Sequence, residues 1–403
     1  MKSKAYKAER LYSLDSLRAI LMLLGVIFHT TLTYRASLHS INIDAWMQDP
    51  ISTHILNDYI TDFVHAFRMQ HFYLIAGFFG AMLFYSKGPL QSITNRFLRV
   101  GLPFAVFIVI LSPLCNFAFD YSRLVFSGGT TAFASTLSDF SFPGDLIPGS
   151  TKHLWFLYYL IFFSAFSISL GLVFRKLPSL SNRISNTFSW LIQQTKYRVL
   201  ILSGITFLIY SLIEPKAIEN SFYKWIPDIS VFIFYLSFYL VGWLLFKSKH
   251  LLKTMMQSDW LCLMLGLVLF TVHFVMKESV NEMITLMLII KSLTTWLFIF
   301  GITGLFIRYG SNQSARMRYI SDSSYWVYLL HLPLTAFLPG FIADWQLHAI
   351  LKLLIVVVGT MVICLATYHY LVRGTFIGQF LNGKKYSKKT EGLFTTKPIV
   401  NNS

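Results

Sequence analysis

The sequence has few charged residues: Asp, Glu, Lys and Arg make up only 13% of its 403 positions. Soluble domains carry about 25%. Hydrophobic residues, by contrast, make up 55%. This scarcity of charge excludes an ordinary soluble protein and indicates an integral membrane protein whose helices form one bundle.

Acidic residues are scarcer than basic ones, with 18 Asp and Glu against 34 Lys and Arg and a net charge of +16. In a soluble protein such an excess would suggest a nucleic-acid partner. Here the basic residues are scattered over many short loops, as in the cytoplasmic loops of membrane proteins. The lipid bilayer is therefore the predicted partner, and nucleic acid is not.

Cysteine is also rare, and none of the three (Cys115, Cys262 and Cys364) has the Cys-x2-Cys spacing of a zinc site. All three lie in or beside apolar runs, where cysteine is mostly a small packing residue. No disulfide framework, metal site or bound cofactor is expected. Histidines in apolar segments leave haem ligation as a minor alternative, although no Cys-x-x-Cys-His attachment motif is present.

Ten apolar segments approach the roughly 20 residues that a membrane-spanning helix needs. They lie near 13–35, 63–85, 101–119, 154–174, 198–214, 229–246, 259–276, 283–307, 323–341 and 348–372. If the N-terminus is inside, 24 of the 34 Lys and Arg fall in cytoplasmic segments and 6 in external ones. The sequence thus predicts an all-α, polytopic bundle of about ten transmembrane helices with both termini cytoplasmic. Residues 1–380 form its membrane domain, and 381–403 a polar, disordered tail.

Ionisable residues inside spanning helices are costly and usually functional. The first helix has three, Asp15, Arg18 and His29. At about 100° per residue they share one face. A local Asp15–Arg18 ion pair is the simpler alternative for the first two, and an interhelical hydrogen bond for His29.

The second helix carries Asp58, Asp62 and His65 at i, i+4 and i+7, so these also share a face, with Arg68 and Gln70 deeper in the membrane. An Asp beside a His is suited to orienting a general base. Polar helix ends are common, however, so this cluster alone is weak evidence.

Arg96 and Arg99 precede the third helix at i, i+3 spacing, which places both guanidinium groups where they could bind the phosphates of a nucleotide-containing donor. Contact with lipid headgroups is an equally good interpretation.

Further polar or aromatic residues lie in the fourth and ninth helices: His153, Trp155, Tyr328 and His331. Trp155 is also consistent with an interfacial anchor, and a buried His331 needs a partner. Lys291 and Lys352 are isolated in apolar runs, and no role for either follows from the sequence.

Several segments together resemble the acyltransferase-3 family. Leu14-Asp15-Ser16-Leu17-Arg18 followed by His29 resembles its Arg-x10-His signature, and Arg96-x-x-Arg99 its cytoplasmic Arg-x-x-Arg motif. The stretches LDSLRAILMLLGVIFHTTLTY, DFVHAFRMQ, IAGFFGAMLF, HLWFL and YWVYLLHLPLT resemble the glucans biosynthesis protein C branch, which adds succinyl groups to osmoregulated periplasmic glucans. Ala76-Gly77 departs from the Ser-Gly of many relatives, and no stretch of these 403 residues resembles the soluble esterase-like domain that some relatives carry.

The resemblance implies a membrane O-acyltransferase of the bacterial inner membrane. It would move a succinyl or acetyl group from cytoplasmic acyl-CoA, the co-substrate, to a glycan hydroxyl outside. Arg96 and Arg99 would bind the donor phosphates, the thioester would lie along the face of Asp15 and Arg18, and His29 would act as general base or acyl carrier. Asp62 and His65 would orient His29 or the acceptor. The acceptor cavity would include Arg68, Gln70, His153, Trp155, Tyr328 and His331. A proton-coupled transporter or flippase for a small anion or lipid-linked sugar is the alternative function, because intramembrane Arg, Asp and His suit it as well.

Overall fold

A computed structural model of the protein describes residues 11–37, 46–141, 143–213, 223–277, 283–312 and 314–383. These residues form helices and connecting loops, and no strand occurs among them. The described part is therefore all-α, as predicted. The basic segment 1–10 and residues 384–403 of the predicted tail lie outside the described residues.

The helices are named here in chain order. They are α1 (Tyr12–Thr33), α2 (Ile55–Lys87), α3 (Pro89–Arg96), α4 (Leu102–Phe126), α5 (Ala132–Ser138), α6 (Trp155–Lys176), α7 (Pro178–Gln193), α8 (Arg198–Leu212), α9 (Ile229–Lys247), α10 (Asp259–Met276), α11 (Ile284–Tyr309), α12 (Ala315–Phe341), α13 (Ala349–Thr367) and α14 (Phe376–Asn382). Turns of π-helix at Phe97–Gly101 and Tyr368–Val372 follow α3 and α13, and 3-10 turns lie at Gly144–Leu146, Lys152–Leu154 and Lys249–Gln257. The last helix ends two residues into the segment predicted as tail.

Among the described residues, seven helical segments are long and apolar enough to cross a membrane: Tyr12–Thr33, Pro89–Phe126, Lys152–Lys176, Ile229–Lys247, Asp259–Met276, Ile284–Tyr309 and Ala349–Val372. The other three predicted spans correspond to α2, α8 and α12. The 15 residues of α8 fall short of the usual length, whereas α2 and α12, with 33 and 27 residues, are long enough but more polar. The protein is thus a multi-pass membrane protein, and the count of ten and the cytoplasmic termini stay predictions.

Helix α1 lies between α2 and α12, and α12 also packs against α4 and α13. Apolar residues point in several directions around α1, which is expected of a helix enclosed by neighbours rather than lying at a surface. The helices α1, α2 and α12, which carry the most polar of the predicted spans, therefore meet where their polar side chains can face one another.

The contact between α2 and α9 is so close that only glycine fits. A Cβ atom at Gly77 would lie 1.9 Å from the Tyr239 carbonyl oxygen, and one at Gly242 would lie 1.8 Å from that of Leu74. Small residues commonly allow such backbone contact between membrane helices. This crossing fixes the position of α2, and with it the polar residues along α2.

Residues 46–54 fold back over the C-terminal end of α1. The Asp49 amide donates to the Thr33 carbonyl at 2.9 Å, and the Asp49 carboxylate accepts from Lys352 Nζ at 2.9 Å. Both charged side chains are almost fully buried, with 1% and 0% exposure. The buried ion pair ties the loop to α13.

Candidate active site

Three histidines from separate segments form a histidine cluster: His29 of α1, His153 of the turn before α6, and His331 of α12. The ring of His331 lies between the other two, with centroid distances of 5.2 Å to His29 and 5.3 Å to His153. His153 and His331 are buried. The packing of α1 against α12 thus brings together residues more than 300 positions apart in the chain.

Backbone carbonyls fix the tautomers of two of these rings. His331 Nδ1 lies 2.7 Å from the Tyr328 carbonyl, and His153 Nε2 lies 2.9 Å from the Leu329 carbonyl. A carbonyl only accepts, so these two nitrogens carry the hydrogens and the opposite nitrogens carry lone pairs. Those opposite atoms, His331 Nε2 and His153 Nδ1, are buried and lack a hydrogen-bond partner among the described residues.

A proline in α12 explains why the Leu329 carbonyl is free to hold His153. In an α-helix the carbonyl of Leu329 would accept from the backbone N–H of residue 333, but Pro333 has no N–H. The side chain of His153 supplies the missing donor. The same proline therefore opens the helix ladder and positions the third ring of the cluster.

His29 is covered on one side by Trp46 from the loop after α1. The two rings stack at a centroid distance of 5.3 Å and an angle of 17°, and the Trp46 indole donates to Thr33 Oγ1 at 3.2 Å. His29 Nδ1 is buried and has no hydrogen-bond partner within the described segments. Such a ring is held by stacking while its nitrogen stays available for a ligand.

Arg68 of α2 reaches the cluster from the side. Its guanidinium lies 4.9 Å from the centroid of the Phe28 ring, a cation–π distance. A Cβ atom at Gly25 would lie 2.7 Å from Arg68 Nη1 and 3.5 Å from His331 Nε2. Glycine at this position of α1 therefore gives the guanidinium access to the histidine cluster.

Two cavities meet at the cluster. The large cavity, about 720 Å³, lies toward the C-terminal end of α1. The small cavity, about 30 Å³, lies deeper and includes Arg68, Tyr328 and His331 in its lining. Of the described residues, three line both cavities: His29, His153 and Trp155.

The predicted acidic partners on α2 take different places. Asp58 is fully buried and accepts from Arg35 and from the backbone amides of Ala36 and Ser37, so it anchors the end of α1. Asp62 lines the large cavity and forms ion pairs with Lys277 and, at 3.7 Å, with Arg35. Its role, with His65, in orienting His29 or the acceptor stays a prediction.

His65 also lines the large cavity, and its ring packs edge-on against Phe28 with centroids 5.7 Å apart. Of the other predicted cavity residues, Trp155 lines both cavities and Tyr328 donates to the His153 carbonyl at 2.7 Å. Gln70 is buried in α2 and lines neither cavity.

At the other end of α1, Asp15 and Arg18 form the predicted local ion pair, with 3.4 Å between Oδ1 and Nη2. Arg18 also lies over the Phe79 ring at 5.3 Å. The pair is partly exposed, so it contributes little to stability. Arg18 occupies the same helix as His29, several turns away.

The two arginines of the Arg-x-x-Arg motif have different partners. Arg96 donates to the Ala76 carbonyl of α2 at 3.4 Å. Arg99 donates to the Gln379 and Phe380 carbonyls of α14 at 3.1 and 3.0 Å. Arg96 is the last residue of α3, whereas Arg99 lies within the π-helical turn Phe97–Gly101, so i,i+3 spacing on a regular α-helix does not describe them. Their predicted binding of donor phosphates stays a prediction.

The structure shows where Lys291 and Lys352 lie, the two lysines for which the sequence suggested no role. Lys352 is the buried partner of Asp49. Lys291 lines the large cavity and lies 5.4 Å from the Tyr210 ring centroid.

Sequence reasoning missed Trp46 and Pro333. A proline two residues after a buried histidine was the available signal for Pro333, whereas no pattern marked Trp46.

The sequence profile of the family described as "Acyltransferase domain" matches residues 11–369. The chain belongs to the acyltransferase-3 family. Curated relatives of this acyltransferase include the glucans biosynthesis protein C of Escherichia coli O17:K52:H18 (strain UMN026 / ExPEC), of Shigella dysenteriae serotype 1 and of Escherichia coli strain K12. Each is 28% identical over 345 residues, which cover 83% of this chain and 84% of the relative. No solved structure matches the chain significantly.

The family match makes this protein a membrane acyltransferase, which favours the enzyme over the transporter or flippase alternative. The matched range contains the whole histidine cluster and every site residue predicted from the sequence. Within the described part of this acyltransferase, no group of three or more His, Cys, Asp or Glu side chains has a metal-binding arrangement.

Proposed function

We propose that this acyltransferase transfers an acyl group, with succinyl favoured over acetyl, from cytoplasmic acyl-CoA to a hydroxyl of a glycan on the opposite side of a bacterial inner membrane. An osmoregulated periplasmic glucan is the favoured acceptor. His29 is the general base for the acceptor hydroxyl.

The position of His29 between the two cavities carries this proposal. His29 lines both of them, so an acceptor in the large cavity and a thioester in the small cavity would meet at its ring. Its buried Nδ1 has no hydrogen-bond partner in the described residues, which leaves it able to accept a proton.

The large cavity suits a sugar. Its volume of about 720 Å³ lies within the usual range for ligand sites. The wall combines aromatic rings with charged groups, so it offers both stacking faces and hydrogen-bond partners: Phe28, Trp46, Asp62, Phe119, Asp120, Arg123, Lys152, Trp155, Phe270, Phe274 and Lys277. The name of the relatives, glucans biosynthesis protein C, agrees with a glucan acceptor.

The small cavity suits the reacting end of the donor. Its wall continues from His29 toward the N-terminal half of α1 through Leu21 and Met22, which are apolar like an acyl thioester. Arg18 lies further along the same helix. With the N-terminus inside, this is the cytoplasmic side, where Arg96 and Arg99 would bind the phosphates of acyl-CoA.

The chemistry requires one base and a leaving thiol. His29 takes the proton from the acceptor hydroxyl while the hydroxyl oxygen forms a bond to the thioester carbonyl carbon, giving a tetrahedral intermediate with a negative oxygen. The intermediate then releases the sulfur of CoA, which takes a proton from His29, and an ester remains on the glycan. General base catalysis of this kind contributes about 10²–10⁴-fold.

The test is complementation of an Escherichia coli K12 strain that lacks its glucans biosynthesis protein C. Periplasmic glucans are analysed by mass spectrometry after expression of wild type, His29→Ala or His71→Gln. His71 is a matched control, because it is also a buried intramembrane histidine but hydrogen-bonds Thr303 Oγ1 at 2.8 Å and lines neither cavity. We expect succinylated glucans with wild type and the control, and none with His29→Ala at equal membrane levels.

Two results would contradict this proposal. Full succinylation by His29→Ala would remove His29 as the base. Unmodified glucans with wild-type protein at normal levels would reject the glucan acceptor, and ester formation on lipopolysaccharide would then be measured.

A further inference from the structure

The side chain of Arg68 has no evident structural task. It is an arginine within the long helix α2, a predicted membrane span, and the described residues supply neither an ion pair nor a hydrogen bond to its guanidinium. The guanidinium lies 4.9 Å from the centroid of the Phe28 ring, with Tyr328 and Tyr235 also near it. Keeping an unpaired cation at this depth is costly, so such residues usually serve a ligand or a reaction. The group that Arg68 serves should be anionic.

The surroundings of Arg68 restrict the size of that group. The small cavity beside the guanidinium has a volume of about 30 Å³, which is room for about two water-sized groups. His331 Nε2, with its lone pair, and Arg68 Nη1 both lie near the point where a Cβ atom of Gly25 would stand. A carbonyl oxygen fits this space, whereas a bulky anion does not.

The depth of Arg68 relative to His29 identifies the reacting atom. Gly25, which Arg68 Nη1 approaches, precedes His29 by one helical turn, about 6 Å along α1. In the proposed function this direction leads to the donor side. The guanidinium therefore lies on the donor side of the base, where the thioester carbonyl would stand, and away from the large cavity of the acceptor.

We propose that Arg68 is a catalytic residue whose guanidinium donates to the thioester carbonyl oxygen and stabilises the negative charge that forms there in the tetrahedral intermediate. This inference rests on the proposed function. The bond from the acceptor oxygen to the carbonyl carbon forms, the carbonyl electron pair moves onto the oxygen beside Arg68, and the pair returns when the C–S bond breaks. Gly25 is the position that lets Arg68 reach this oxygen.

Another interpretation is that Arg68 binds the distal carboxylate of a succinyl group and so selects the donor. The geometry favours the carbonyl oxygen. If the thiol end of the donor arrives from the donor side, the distal end of the acyl chain extends past His29 toward the large cavity, away from Gly25. The two interpretations differ in which acyl donors require Arg68. Binding of the carbonyl oxygen would make both succinyl-CoA and acetyl-CoA depend on it, whereas binding of the distal carboxylate would make only succinyl-CoA depend on it.

The test uses full-length protein in lipid nanodiscs, with release of the CoA thiol measured from succinyl-CoA and from acetyl-CoA in the presence of glucan. The variants are Arg68→Met, Arg68→Lys and Gly25→Ala, the last of which keeps the arginine but places a methyl group 2.7 Å from Nη1. Removal of one oxyanion donor typically lowers kcat by about 10²–10³-fold. We expect that loss in Arg68→Met with both donors, a smaller loss in Arg68→Lys and Gly25→Ala, and unchanged KM.

A donor analogue with CH₂ in place of the sulfur, which cannot transfer its acyl group, measures ground-state binding independently of turnover. We expect wild type and Arg68→Met to bind it equally. A loss of activity confined to succinyl-CoA would assign Arg68 to the distal carboxylate, and weaker binding of the analogue would assign it to the ground-state donor. Unchanged kcat in a folded Arg68→Met protein would also overturn the inference. Wild type that neither binds the analogue nor releases thiol would instead reject the proposed donor.

Discussion

Two arginines of the bundle are surrounded in opposite ways. Arg198, at the start of α8, is fully buried and donates four hydrogen bonds to Ile192, Thr254 and Ser258, with its guanidinium over the Phe300 ring at 4.7 Å. Arg68 lies over the Phe28 ring and has no hydrogen bond or ion pair in the described residues. A buried charge that is paired contributes to the fold, whereas an unpaired one is a cost that function must explain. The presence or absence of polar partners therefore distinguishes polar residues that stabilise the fold from polar residues that belong to the candidate site.

The largest effect on stability is expected at the Asp49–Lys352 pair, which belongs with Arg198 in the structural group. Lys352→Met leaves the Asp49 carboxylate buried without its cation, which should cost about 3–5 kcal/mol. The thermal unfolding midpoint in detergent should fall clearly. The double variant Asp49→Asn/Lys352→Met is the control and should recover part of the loss. An unchanged midpoint for Lys352→Met would show that the pair does not hold the loop.

Arg198→Met sharpens the comparison with Arg68→Met. The loss of hydrogen bonds from a charged donor should destabilise the protein by about 2–3 kcal/mol. Thiol release per folded molecule should stay at the wild-type rate, because Arg198 lies outside both cavities. The folded fraction is measured by size-exclusion chromatography. A variant that folds normally but loses turnover would break the proposed distinction.

Pro333→Ala tests whether the interrupted helix positions His153. Residue 333 would regain an N–H that competes for the Leu329 carbonyl, so His153 would lose its hydrogen bond, worth about 1 kcal/mol. If the transition state loses this free energy, kcat should fall about 5–10-fold. The unfolding midpoint should be equal to that of wild type or higher. Pro339→Ala, at the second proline of α12, should leave kcat unchanged. Equal kcat for both variants would contradict the role of Pro333.

The smallest effect is expected at Trp46, which stacks on His29 and donates a hydrogen bond to Thr33 Oγ1. Trp46→Ala removes an aromatic contact worth about 0.5–1.5 kcal/mol, so activity should fall by a few-fold. Trp46→Phe keeps an aromatic face and should recover most of that loss. Steady-state kinetics with glucan as the variable substrate measures both. Loss of all activity in Trp46→Ala would mean that the indole does more than hold the ring.

The helices and the polar face of α1 could be predicted because both depend on local sequence. Hydropathy placed a helix at each of the ten predicted positions, and helical periodicity put Arg18 and His29 on one face. The start of α2 was harder to predict from hydropathy, because the first two turns of this helix are polar. The helix begins at Ile55 and not near residue 63, where the predicted span began.

The resemblance placed His29, His153 and His331 in one site, but the contacts among the three rings could not be predicted, because they depend on the packing of distant segments. His331 meets His29 only through the packing of α12 on α1, and His153 joins them through a carbonyl left free by Pro333. For Asp62, helical spacing along α2 suggested His65 as the neighbouring side chain. In the folded protein Lys277, more than 200 residues later in the chain, pairs with Asp62.

The narrow junction between the two cavities bears on how such an enzyme can diverge. In the part of the chain that the structure describes, only His29, His153 and Trp155 belong to both walls. In the proposed function, substitutions elsewhere in the large cavity would therefore change which polymer is modified while the reacting groups stay in place. Substitutions around the small cavity can likewise change which acyl chain is accepted. Acceptor and donor preference can thus be inherited, lost or engineered as two separate traits of one polypeptide.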